Sequence, residues 1–81
     1  MSITEDVKSA ILEAIPGAEV AVSGGGGHFE IEVVSPVFEG KRILAQQRLV
    51  YSAITHLMAG DAAPVHAVDK MVCRVPAEDL A

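Results

Sequence analysis

Apolar and polar positions alternate along the chain with two periods, and the changes of period mark its elements. Val7, Ala10, Ile11, Ala14 and Ile15 recur every three or four residues until Pro16-Gly17, which predicts a first helix. Ser2-x-x-Glu5 ahead of it has the form of a capping box, and Glu5 and Asp6 suit the positive end of a helix dipole. Residues 19–23 alternate, and residues 28–34 alternate more clearly. Phe29, Ile31 and Val33 fall on one face, and His28, Glu30 and Glu32 on the other. Two strands bracketing Gly24–Gly27 predict a β-hairpin with a glycine loop. Ser35-Pro36 breaks the second strand, and Val37-Phe38-Glu39 suits a short helical turn before Gly40. From Lys41 to Met58 the positions Ile43, Leu44, Val50, Ile54, Leu57 and Met58 keep a helical period, closed by Gly60-Asp61. Val65 to Val75 reads as a third strand, stopped by Pro76. Strict alternation places His66, Val68, Lys70, Val72 and Arg74 on one face of it, and Val65, Ala67, Asp69, Met71, Cys73 and Val75 on the other. Residues 77–81 are too few for a stable helix and are expected to be mobile.

The order α-β-β-α-(α)-β returns the chain through a helix between strands two and three, which makes that pair parallel. An α+β fold follows, with a three-stranded mixed sheet covered by helices on one face. Its 81 residues suffice for one domain near the lower limit for a core without disulfides or metal. Residues 1–81 are therefore expected to form that single domain. Apolar residues make up 51% of the chain, but the aromatics are only Phe29, Phe38 and Tyr51. The core must be aliphatic and small, with little room for a deep substrate pocket. One cysteine, Cys73, excludes an internal disulfide and any self-sufficient cysteine-based metal site. The polar, acidic N-terminus lacks the features of a targeting segment, and no apolar run suits a membrane span, so a cytoplasmic protein is expected. A net charge of −5 argues against broad nucleic-acid binding, although Lys41, Arg42 and Arg48 lie close together.

A glycine-rich phosphate cradle opens into a helix N-terminus, whereas Gly24–Gly27 opens into a strand. The Lys-Ser/Thr pair of a P-loop is missing, and Phe29 stands where a dinucleotide motif begun at Gly24 needs its last glycine. A hairpin loop is the better reading. Taken singly, His28 and His66 are ordinary strand-end histidines, and His56 suits the C-terminal end of a helix dipole. Cys73, between Met71 and Val75, reads as a small buried hydrophobe. No acid–base pair or nucleophilic triad assembles from the sequence, so no enzymatic activity is expected. The topology and basic helix start suggest a KH domain, yet Gly40-Lys41-Arg42-Ile43 lacks the second glycine of its nucleotide grip. A helix-turn-helix contact through Arg42, Gln46, Gln47 and Arg48 competes with a solvated helix face.

Taken together, Gly27-His28-Phe29, Val33-Val34-Ser35, Phe38-Glu39-Gly40-Lys41, Gln47-Arg48-Leu49-Val50-Tyr51 and Val65-His66-Ala67 resemble the BolA family. The resemblance runs from the first helix through the third strand. Gln46-Gln47-Arg48 departs from the Arg-His-Arg often found there and is similar to a bacterial branch with Gln-Gln. The resemblance implies a class II KH-like fold and partnership with a monothiol glutaredoxin of the Cys-Gly-Phe-Ser type. It also implies a [2Fe–2S] cluster shared with glutaredoxin and glutathione. His66 matches the family's C-terminal histidine ligand. Relatives place a second ligand in the loop between the first two strands, where this chain has only Gly24, Gly25, Gly26 and Gly27. His28 at the loop's border is the candidate substitute; without it, the chain would bind apo glutaredoxin or hold the cluster weakly. The glycine loop and Phe29 are the expected partner contacts. The family is also associated with transcriptional regulation and stress response, for which Lys41, Arg42 and Arg48 are the candidate DNA contacts.

Overall fold

A computed structural model describes residues 2–59 and 63–76. The elements are helix α1 (Ile3–Ala14), strand β1 (Glu19–Gly25), strand β2 (His28–Val34), a single 3-10 turn (Pro36–Phe38), helix α2 (Ile43–Met58) and strand β3 (Ala67–Arg74). The sheet order is β1-β2-β3, with β1 antiparallel and β3 parallel to the central β2. This is the expected α+β, class II KH-like arrangement. The predicted closure of α2 at Gly60-Asp61 and the tail 77–81 lie outside the described residues.

Both helices cover the same face of the sheet. Val7 and Ile11 of α1 and Val50 and Ile54 of α2 are fully buried against Phe29, Ile31 and Val33 of β2. Helical spacing aligns the first four on single stripes, and strand alternation aligns the last three, so the two periods meet in one core. Among the described residues, no helix covers the opposite face, with Ser23, Glu30, Glu32, Lys70 and Arg74. It keeps its charge in water, including an Arg74–Glu32 ion pair of 2.9 Å.

Ser2 caps α1 as the motif predicts, its Oγ accepting from the Glu5 N–H at 3.2 Å. The Ser35-Pro36 break is a built junction. Ser35 is buried, yet its N–H donates to the Arg74 carbonyl at 2.9 Å and its Oγ accepts from the Val37 N–H at 3.2 Å. The resulting 3-10 turn drives Phe38 into the core, where it has no exposed surface. Helix α2 begins at Ile43 rather than Lys41, because Arg42 is extended at the N-cap and its side chain makes no capping bond. Gln46 Nε2 instead donates to the carbonyls of Phe38 and Lys41, both at 3.1 Å, tying the first turn of α2 to the preceding loop without capping its free N–H groups.

The third strand departs from strict alternation. His28 pairs with Ala67 and Phe29 with Val68, but Glu30 pairs with Lys70, leaving Asp69 as an unpaired bulge. The bulge lets Val68 and Met71, three residues apart, both pack against the core while Lys70 stays on the open face. The predicted division of this strand into odd and even faces therefore fails between Val68 and Lys70. The strand also starts at Ala67, so His66 precedes it rather than lying within it.

Candidate functional site

The glycine run separates into strand and turn. Strand pairing continues through Gly24 opposite Phe29 and Gly25 opposite His28, so only Gly26 and Gly27 form the loop. Their φ angles are 64° and 87°, the signature of a two-residue type I′ turn, in which both central residues need positive φ. The expected four-residue flexible loop is therefore a tight hairpin. The twist of two antiparallel strands favours this turn, and glycine is the residue that enters it without steric cost.

His66 sits directly against that turn. The Gly27 carbonyl accepts from the His66 N–H at 2.8 Å and the Ala67 N–H at 3.0 Å. A Cβ added to Gly27 would overlap the His66 ring at Cδ2 and reach 2.9 Å from Cγ. The imidazole thus rests on bare glycine backbone. His66 is exposed, and among the described residues its ring nitrogens take no hydrogen bond.

His28 begins β2 at the neighbouring sheet position, opposite Ala67. It shares the open face with Glu30 and Glu32 as expected, but its bonded carboxylate is another one. Nδ1 lies 3.3 Å from Oδ1 of Asp69, the bulged residue. Alternation had set Asp69 on the far face, so sequence reasoning missed this pair. The available signal was the three-residue interval from Val68 to Met71, which a regular strand cannot place on one face.

Other candidates separate from this corner. Phe29, expected among the partner contacts, is buried in the core beneath the hairpin. Cys73 lies six positions beyond Ala67 in the strand, roughly 20 Å away at strand rise, in a cleft with Ile43, Gln46, Gln47 and Met71. Partial burial pushes its thiol above the ordinary value of 9.0, disfavouring the thiolate that a metal or an electrophile requires. Lys41, Arg42 and Arg48 line a second depression with Gly40, Leu44 and Ala45 at the start of α2. Gln46 is withdrawn from any DNA-facing role because its amide is bonded to the two loop carbonyls. Among the described residues, no three of His, Cys, Asp and Glu assemble into a metal-binding group. His66 offers an exposed imidazole, and His28 stands on the adjacent strand at the same end of the sheet. Also among the described residues, no helix is long and apolar enough to cross a membrane.

An antiparallel hairpin, a parallel third strand reached through α2, and a histidine held at their common end define a small KH-like α+β domain. The family model described as BolA-like protein matches residues 8–78, and the chain belongs to the BolA family. An uncharacterized protein from the rpoN-murA intergenic region of Acinetobacter guillouiae is 40% identical over 65 residues, covering 80% of this chain and 76% of that protein. The acid stress protein IbaG of Escherichia coli is 32% identical over 63 residues, covering 78% of this chain and 73% of its own. The solved structure of a BolA homologue from Coxiella burnetii aligns over 100% of both chains with a TM-score of 0.78 and 34% identity.

Proposed function

We propose that this chain is a non-enzymatic adaptor that binds a monothiol glutaredoxin and shares or senses a [2Fe–2S] cluster with it. His66 is the protein ligand in this reading, with His28 as the second candidate. The observation that carries it is the exposed His66 imidazole, seated on Gly27 with no hydrogen bond among the described residues. An unpartnered imidazole at a sheet corner is suited to completing a ligand set whose thiolates come from glutaredoxin and glutathione. Such a cluster would supply one-electron chemistry, and neutral imidazole in place of a thiolate raises its potential. The name of the relative IbaG as an acid stress protein supports a role in stress response; iron and redox homeostasis and a cytoplasmic setting belong to the same reading.

The test is visible absorption and circular dichroism after mixing the chain with cluster-loaded glutaredoxin. A new spectrum is expected, altered or lost in His66→Ala. A spectrum unchanged by that substitution refutes the ligand assignment, and the absence of any complex refutes the adaptor.

One observation favours a second reading, as a DNA-binding regulator. Lys41, Arg42 and Arg48 gather around one depression beside exposed Leu44. DNA binding with a steep salt dependence, weakened in Arg42→Ala, would support that reading. No binding to any DNA fragment at low salt would end it.

A further inference from the structure

We propose that Asp69 is a positioning residue for His28, holding its proton on Nδ1 and thereby presenting Nε2 outward as a metal-binding nitrogen. This rests on the adaptor reading and deepens it at the ligand that reading leaves least defined. An ionised carboxylate only accepts hydrogen bonds, so its 3.3 Å approach to Nδ1 selects the tautomer that carries the proton there. The Nε2 lone pair is then available, and no group among the described residues bonds to it. Histidines that bind metals commonly donate their other N–H to a carboxylate or carbonyl, which fixes both ring orientation and tautomer.

The backbone supports the same assignment independently. Asp69 is the bulged residue, set between the Phe29–Val68 and Glu30–Lys70 pairs. In unbroken pairing it would stand opposite Glu30, placing two carboxylates side by side. Bulges characteristically re-aim a side chain, and this one delivers the carboxylate to a histidine on another strand. Both groups are about half exposed or more, at 61% for His28 and 54% for Asp69, so a partner can reach the imidazole. Among the described residues, Asp69 has no other ion-pair partner.

The experiment has two arms. In the isolated chain, long-range proton–nitrogen NMR at mildly alkaline pH reads the His28 tautomer directly. The unmutated chain should hold the proton on Nδ1, and Asp69→Ala should return it mainly to Nε2, the form an unconstrained imidazole prefers in water. Asp69→Asn should retain the Nδ1 proton, because its amide oxygen still accepts. The same tautomer ratio in the unmutated chain and Asp69→Ala overturns the proposal. In the second arm, each variant is mixed with cluster-loaded glutaredoxin. Asp69→Ala and His28→Ala should both change the circular dichroism, and Asp69→Ala should hold the cluster about 10- to 100-fold more weakly. Retention equal to that of the unmutated chain overturns the ligand-positioning role. If the unmutated chain forms no bridged complex, the adaptor reading and its ligand role fall. The tautomer measurement, which needs no partner, still decides whether Asp69 orients His28.

Discussion

The Gly27 carbonyl joins the hairpin to the segment before β3 by accepting from both His66 and Ala67, and the His66 ring lies where a Gly27 side chain would be. One glycine therefore meets two requirements, a positive φ of 87° and room for an imidazole.

Gly27→Ala should destabilise the chain by at least about 1–2 kcal/mol, the cost of a left-handed conformation for an L-residue. It should also displace the His66 ring. Urea denaturation measures the first effect, and histidine ring chemical shifts measure the second. An unmoved His66 resonance in a folded variant would contradict the packing described above.

Gly25→Ala should have the opposite sign. Gly25 lacks a positive φ, and a Cβ there meets nothing within 4 Å. Reducing the freedom of the unfolded chain should stabilise by about 0.4–1 kcal/mol, seen as a higher urea midpoint. The two substitutions distinguish the strand glycine from the turn glycine.

Phe38→Ala should be among the costliest single changes, at about 3–5 kcal/mol, because it empties a fully buried aromatic site in a small core. The chain should become largely unfolded at moderate urea, followed by far-ultraviolet circular dichroism.

Gln46→Ala should cost about 0.5–1.5 kcal/mol, because the Lys41 carbonyl loses its side-chain donor and the Phe38 carbonyl keeps only the Lys41 N–H. Gln46→Glu should recover little of this at neutral pH, since a carboxylate offers no donor and faces two carbonyl oxygens. Faster amide exchange over the first turn of α2 is the local readout.

Cys73 should alkylate more slowly in the folded chain than in denaturant at neutral to mildly alkaline pH. Burial raises its pKa and lowers the reactive thiolate fraction. The folded state holds this proton to higher pH than the unfolded state does. The site therefore makes stability fall as pH rises above about 9, and Cys73→Ala should remove that part of the slope. Equal alkylation rates in both states would contradict the burial effect.

Sequence was most informative where a single period governs a segment. The spacing of Val7 and Ile11 gave α1, and the alternation of Phe29, Ile31 and Val33 gave the buried face of β2. Ser2 and Ser35-Pro36 marked junctions because capping and turn formation are local chemistry. His66 was also legible, through the motif around it. Its seating on Gly27 was not, because that contact joins residues 39 positions apart.

By itself, then, the sequence determined element order, the parallel return to β3 and the residues offered for chemistry. These follow from side-chain periodicity and local backbone preference. Tertiary packing decided that two of four glycines are strand, that Gln46 ties the start of α2 to the preceding loop, and that Asp69 meets His28. Each depends on register across separate elements. The demand to bury both Val68 and Met71 while keeping Lys70 in water shifts that register by one residue, and strand alternation alone does not contain that demand.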